Sequence, residues 1–135
     1  MNLHLNKLGE RLHSKLDRCI DRLNTSKDHL EGLKKETEAG VLAKLKSAQE
    51  MLEAKNQEAV ALKEKVDELL EAKKAETLET VADWKANHHS QKLEKRAERA
   101  ESYADACVAL ALYYADEAEV AILEAALARQ DADRS

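Results

Sequence analysis

Four residues in this chain have the types and the spacing of a metal site inside a helical bundle. Glu117 and Glu124 are seven residues apart in a stretch without positive side chains, residues 100–128, so a helix places both carboxylates on one face. Near the other end of the chain, Glu10 and His13 have the Glu-x-x-His spacing that di-iron and di-manganese bundles use. A carboxylate-rich, ferritin-like metal-binding bundle is therefore one alternative for the function of this protein.

Two features argue against a metal site. Sites of this kind need a second Glu-x-x-His motif, and no histidine follows His89. If the chain folds into three antiparallel segments, residue n of the first lies level with about residue n + 96 of the third. His13 then lies level with about residue 109, and Glu117 is about 12 Å further along the helix. We expect neither a metal nor another cofactor, and we interpret these carboxylates as solvated charges that oppose aggregation.

A second cluster is basic and surrounds the adjacent pair His88 and His89. Its cations are Lys85, Lys92, Lys95, Arg96 and Arg99. Such a cluster can attract a phosphate, an acidic partner or an anionic membrane surface. Glutamates alternate with the cations, however, and no aromatic residue follows until Tyr103, so bases would have nothing to stack on. We interpret the cluster as a solvated charged face and expect no binding to nucleic acid.

Motifs of known enzymes are missing from the sequence. There is no Gly-rich phosphate loop, no nucleophile elbow and no Cys or His spacing typical of structural zinc. Cys19 and Cys107 lie far apart on apolar faces and form no Cys-x-x-Cys pair, which indicates reduced, packed thiols. The protein is therefore predicted not to be an enzyme.

The composition is that of long helices. Charged residues make up 36% of the chain and aromatic residues 3%, and proline is absent. This predicts an all-α protein, an elongated antiparallel helical bundle or coiled coil. The longest stretch without a formal charge, residues 106–115, is about half of what a membrane-spanning helix needs. Since the N-terminus also lacks the apolar core of a secretory signal, we expect a soluble, cytoplasmic protein.

Apolar residues recur every three or four positions and predict three long helices in a single domain, 1–135. Helix 1 covers about 2–39, and residues 24–26 allow a kink because Asn, Thr and Ser compete for backbone hydrogen bonds. Gly40 is expected to end this helix. Helix 2 covers about 41–86. The first half of helix 2 carries a heptad seam with one polar member, Lys55.

Helix 3 is predicted to cover about 91–131, after a turn at residues 87–90 in which Ser90 caps the new helix. The alternative is one continuous helix from residue 41 onward, because neither glycine nor proline interrupts that part of the sequence. The seam positions through the turn are mostly polar, which favours the turn. Four cations in the first turns of helix 3 oppose it, since the helix dipole favours anions there.

Helix 3 contains the longest apolar pattern in the chain, eleven positions that alternate four and three residues apart. This alanine seam consists of Leu93, Ala97, Ala100, Ala104, Cys107, Ala111, Tyr114, Ala118, Ala121, Ala125 and Ala128. Its alanines let two helix backbones approach closely. Further apolar residues spread around the helix and would leave an exposed patch in a monomer. We therefore predict a homo-oligomer, most simply a dimer, in which the alanine seam is the interface.

The function predicted from these patterns is that of a non-enzymatic scaffold or adaptor that self-associates and has a protein partner not identified by the sequence. A third alternative is binding to a membrane surface through amphipathic helices, whose polar faces contain both Glu and Lys. The single Trp and the absence of Phe favour a protein partner instead, because adsorption to lipid usually uses bulky aromatic residues.

Overall fold

The computed structural model describes residues 3–134 of the chain, and side chains from residue 5 to residue 134. The described residues form five α-helices and a short 3-10 turn, without a β-strand. They are α1 (Leu3–Gly32), the 3-10 turn (Leu33–Lys35), α2 (Glu38–Ala54), α3 (Asn56–Ala75), α4 (Leu78–Ala86) and α5 (Ser90–Arg134). The predicted all-α class is confirmed.

Helix α5 is the common packing partner of the other helices, because α1, α2, α3 and α4 each contact it. Two ion pairs define the direction of α1: Arg11 binds Asp105 and Arg22 binds Asp116, and both pairs are 94 residues apart. Because this offset is constant, α1 runs parallel to α5. The predicted offset of about 96 is close to the observed one.

Helices α2 to α4 run antiparallel to α5. Gln49 of α2 bonds Glu124, and further along the chain Lys73 of α3 lies over the ring of Tyr103, so the contact on α5 moves backwards as the chain advances. The chain therefore goes up, down and up, as the predicted antiparallel bundle requires.

The prediction of one continuous helix over 41–86 is wrong, because the structure divides that region into α2, α3 and α4. The first division is at Lys55, the polar member of the heptad seam, where the backbone leaves regular helical geometry and the side chain reaches Asp116 on α5. The second is at Thr77, whose hydroxyl oxygen accepts a hydrogen bond from the backbone N–H of Thr80 at 3.0 Å and so caps α4.

Gly40 does not end the first helix as predicted. Helix α1 ends at Gly32, and α2 has already begun at Glu38. Thr37 accepts a hydrogen bond from the N–H of Gly40 at 3.1 Å, which places Gly40 inside the first turn of α2. A capping hydroxyl therefore sets this boundary. Helix α1 does not end at residues 24–26, where the hydroxyl of Thr25 donates a hydrogen bond to the carbonyl of Asp21 at 2.9 Å.

The turn predicted at residues 87–90 is confirmed. Asn87 ends α4, and His88 adopts a left-handed backbone conformation with φ of 55°. The N–H of His89 donates to the carbonyl of Trp84 at 2.9 Å and that of His88 to the carbonyl of Lys85 at 3.4 Å, which is the hydrogen-bonding pattern of a Schellman motif. Ser90 is the first residue of α5 rather than its cap, because the carbonyl of His89 accepts the first bond of the new helix.

The main apolar core lies at one end of the bundle, where the 3-10 turn, α2 and the C-terminal part of α5 meet. Its buried members are Leu33, Val41, Leu45, Val120 and Leu123. Val41 and Leu123 are fully buried, and each such side chain contributes about 1.5–3 kcal/mol relative to exposure. Towards the middle of the bundle the buried apolar residues are smaller: Cys19, Ala59, Ala106 and Ala115.

Candidate functional site

Most of the alanine seam lies on the surface. Seven of its eleven members are exposed, Ala97, Ala100, Ala111, Tyr114, Ala121, Ala125 and Ala128, and the other four are half-buried. The buried residues of α5 are different ones: Ala106, Ala115, Val120 and Leu123. Helix α5 therefore packs on the rest of the chain with another face, and the predicted interface is left open.

Helix α1 also leaves its apolar residues exposed. Leu16, Ile20, Leu23 and Leu30 are each about half exposed, at 46%, 54%, 52% and 53%. They lie within one arc of the helix, because their spacing follows the helical repeat. By contrast, the exposed apolar residues of α2 to α4, such as Leu42 and Met51, are not spaced as one stripe.

The face that α1 turns inward is apolar at its start, where Leu8 and Leu12 are half-buried, and mostly polar from Lys15 onward. Cys19 and Ser26 are buried on it, and Lys15, Arg22 and His29 are half-buried. Burying polar groups costs free energy unless they find partners, whereas burying leucine is favourable. The apolar stripe of α1 therefore lies beside the buried arc of the helix and is not centred on it.

Much of the exposed stripes of α1 and α5 lies away from α2 and α3, but Ala100 lines a groove against α3, Ala121 lines one against α2, and Tyr114 contacts Lys63 of α3. On α1, the buried Ser26 lines the groove against α2, and Leu23 lies about 60° from it around the helix. On α5, Asp116 contacts both α1 and Lys55, and Ala118 lies about 160° from it. We call the two stripes together the outer face; it consists of Leu16, Ile20, Leu23 and Leu30 of α1 and the alanine seam of α5.

Asp116 explains why the polar arc of α1 lies inside. Its carboxylate is 12% exposed and accepts hydrogen bonds from Arg22 at 2.7 Å and from Lys55 at 3.0 Å. One carboxylate thereby joins α1, the kink between α2 and α3, and α5. Charge-assisted bonds of this kind are about twice as strong as neutral ones.

A second pair extends this polar cluster by one helical turn. Nδ1 of His29 lies 2.5 Å from Oε1 of Glu119, whose side chain is 16% exposed. Together with Arg22, Ser47 and Asp116, the pair lines a groove of about 260 Å³ between α1, α2 and α5. The pKa of the nearby Cys19 thiol is raised, first by burial and second by the negative charge of Asp116. The cluster binds the helices to one another with charges that largely neutralise each other.

The sequence analysis missed the cluster because its members are spread over three helices. Arg22 and Asp116 lie on the polar arcs of their helices, which a periodic pattern assigns to solvent. Lys55 was the single available signal, since a charged residue in an apolar seam needs a partner. No comparable signal indicated Arg22.

The four candidate metal ligands are not brought together. With the observed offset of 94, His13 lies level with residue 107, which is about 15 Å along α5 from Glu117. His13 instead pairs with Asp17 at 3.2 Å, and Glu124 accepts a bond from Gln49 at 3.3 Å. Within the described residues, no group of three His, Cys, Asp or Glu side chains is arranged to hold a metal ion.

The basic cluster around the turn is partly used in folding. Arg96 and Arg99 both bind Glu76, whose side chain is 14% exposed. Lys92 lies over the ring of Trp84 at 5.9 Å from its centre. Arg96 and Arg99 are therefore paired with a carboxylate of the same chain, although their side chains remain 46% and 38% exposed. Among the helices of residues 3–134, none has the length and apolar character needed to cross a membrane.

Comparison of the chain with protein-family models, with curated protein sequences and with solved structures gave no match in any of the three.

Proposed function

We propose that the protein is a non-enzymatic helical scaffold that self-associates through the outer face. The observation that carries this proposal is the orientation of α1, which turns its polar arc inward and leaves Leu16, Ile20, Leu23 and Leu30 about half exposed in one stripe. Contiguous exposed apolar surface of this kind marks a site of protein association.

The alanine seam of α5 supports the same proposal. Six of its seven exposed members are alanines, so a second helix can approach the backbone closely, at the short end of the usual 8–10 Å between helix axes. Tyr114 adds a large side chain, 47% exposed, near the middle of the seam. The ammonium of Lys63 lies 5.3 Å from the centre of the Tyr114 ring, which holds the ring at the edge of the outer face.

An adaptor role follows from self-association. Two copies joined through their outer faces present two sets of α2 to α4, and the surfaces of these helices remain available to a partner. We propose that the partner is a protein and not a lipid surface, because the exposed stripe contains aliphatic rather than bulky aromatic residues.

Light scattering coupled to size-exclusion chromatography tests the proposal. At about 100 μM the wild-type chain should elute with twice its monomer mass, and Ala111→Arg should elute as a monomer of unchanged helicity. Ala61→Arg is the matched control, since Ala61 is an exposed alanine on α3 outside the outer face, and this variant should remain a dimer.

A monomeric wild type at this concentration would refute self-association. Its binding to vesicles of anionic lipid should then be measured at low salt, because an exposed leucine stripe next to lysines also fits a membrane surface. Binding of this kind would replace the scaffold proposal with the membrane one.

A further inference from the structure

We infer that the chain binds a small organic dianion, a phosphate monoester, in a cavity between α3 and α5 where Lys73, Arg96 and Arg99 meet. We call it the arginine cavity; its volume is about 270 Å³, and it is lined by one carboxylate, that of Glu76. The site is independent of the proposed self-association, because all of its residues belong to one copy of the chain.

Two guanidinium groups converge in the arginine cavity. Nε of Arg96 lies 3.8 Å from Oε2 of Glu76, and a terminal nitrogen of Arg99 contacts Oε1 of the same carboxylate. The two arginines are three residues apart on α5, so the helix places them on one side. Glu76 approaches from the break between α3 and α4, where its backbone is extended. This carboxylate holds both arginines in place in the free protein, which lowers the entropy cost of binding an anion there.

The charge of the cavity is unbalanced. Three cations, Lys73, Arg96 and Arg99, face one carboxylate, which leaves an excess of two positive charges. The side chain of Glu76 is largely covered, whereas both arginines remain partly exposed. A guanidinium has five N–H donors, so a single carboxylate contact leaves most of them available to a ligand. A phosphate monoester has a charge close to −2 at pH 7 and three acceptor oxygens, so it matches this excess.

Lys73 contributes its charge from α3. Its ammonium lies 5.5 Å from the centre of the Tyr103 ring. Among the described residues it has no carboxylate within ion-pair distance, whereas the neighbouring Lys74 pairs with Glu71 at 3.3 Å. The cation–π contact keeps the ammonium at the wall of the cavity without neutralising it.

The remaining wall of the cavity is apolar and defines the other part of the ligand. It consists of Leu69, Ala100 and the ring of Tyr103. Binding sites for small molecules combine such walls with a few convergent polar groups. A cavity of about 150 Å³ holds benzene, so the larger volume here accommodates a ring beside a phosphate group. The ligand class is therefore a phosphate monoester of a small apolar or aromatic alcohol.

The sequence pattern concealed this site. Arg96 and Arg99 belong to the basic cluster that was interpreted as a solvated face, because glutamates alternate with its cations. Glu94 and Glu98 do not line the arginine cavity, and the third cation, Lys73, comes from a different helix. Tertiary packing thus separates the arginines from the glutamates that dilute them in the sequence.

Calorimetric titration with phenyl phosphate at about pH 7.5 and low salt tests the proposal, because the probe is then mostly a dianion. We expect one site per chain with a Kd of about 0.1–1 mM, which is ordinary for a ligand of about ten heavy atoms. Inorganic phosphate, which lacks the ring, and benzyl alcohol, which lacks the charge, should each bind at least about tenfold more weakly. No saturable binding up to about 10 mM phenyl phosphate would overturn the proposal.

Matched charge variants separate this site from general electrostatic attraction. Arg99→Gln should weaken the binding of phenyl phosphate about tenfold, because it removes one of the two converging guanidinium groups. Lys95→Gln removes the same charge from an exposed position of α5 that does not line the cavity, and it should change Kd less than about twofold. Equal losses in the two variants would show that no specific site is present.

A second cavity variant guards against misfolding. Arg99→Gln also removes a partner of Glu76, whereas Lys73→Gln breaks no ion pair between described residues and should still weaken binding about fivefold. Circular dichroism on each variant shows whether the helices are intact. An intact Lys73→Gln with the Kd of the wild type would contradict the site.

Amide chemical shifts in the ¹⁵N-labelled protein locate the probe. Phenyl phosphate should shift the signals of Leu69 and Ala100 most, and these shifts should be reduced in Arg99→Gln. Lys15 and Arg18 line a different groove, between α1, α3 and α5. Shifts concentrated on these two residues would place the anion in that groove and overturn the assignment to the arginine cavity.

Discussion

Asp116 holds the three parts of the bundle together, and its removal should destabilise the fold measurably. Asp116→Asn keeps the shape of the side chain but removes the charge that Arg22 and Lys55 share. Each hydrogen bond to a charged group contributes about 1.5–3 kcal/mol when it is well shielded. Because the side chains of Arg22 and Lys55 are 40% and 37% exposed, water can replace part of what they lose. We therefore expect a total loss of about 2 kcal/mol.

Thermal unfolding followed by circular dichroism measures this loss. For a chain of 135 residues the entropy of unfolding is about 0.28 kcal/mol per kelvin, so Tm should fall by about 7 °C. Variants must be compared at one protein concentration, because association raises the apparent stability. Asp67→Asn is the control, since Asp67 is exposed on α3, and it should change the free energy of unfolding by less than about 0.5 kcal/mol. A Tm for Asp116→Asn within 1–2 °C of wild type, or about 0.5 kcal/mol, would refute the reasoning.

Two further predictions concern the turn and the buried thiol. His88→Gly should raise Tm by about 3–4 °C, because a left-handed conformation costs an L-residue about 1–2 kcal/mol. The greater chain entropy of glycine in the unfolded state offsets only part of that gain. His89→Gly is the control: the φ of His89 is negative, so this variant should not raise Tm. Burial raises the pKa of the Cys19 thiol in the folded protein, so the unfolded thiol, with a pKa of about 8.5, ionises at a lower pH than the folded one. The contribution of Cys19 to stability is therefore complete below about pH 8.5 and falls as the pH rises further. In urea titrations the wild type should therefore lose more stability than Cys19→Ala between about pH 8 and pH 10, and equal losses would contradict this assignment.

The turn shows what local sequence can decide. Residues 87–90 were predicted to turn because the seam becomes polar there and Asn can end a helix, and both causes act within a few residues. At the boundary between α1 and α2, the local sequence signal was assigned to the wrong residue. Gly40 was predicted to end the first helix, but the hydroxyl of Thr37, which accepts a bond from a free N–H, begins α2 before it, and Thr77 begins α4 in the same way.

The sequence by itself determined that the chain is helical, that it reverses direction and that α1 runs level with α5 at nearly the predicted offset. These properties depend on hydrogen bonds and side-chain spacings within about four residues, together with segment lengths. The rotation of α1 about its own axis does not follow from such local properties. It depends on Arg22 and Lys55 meeting Asp116, residues 94 and 61 positions away from it.

A periodic pattern identifies an apolar arc but contains no information about which neighbour covers it. Only the tertiary structure decided that the polar arc of α1 lies inside and that the leucines and the alanine seam lie outside. The physical reason is that the ion pairs at Asp116 join three helices at one point, and they form only when Arg22 of α1 faces α5.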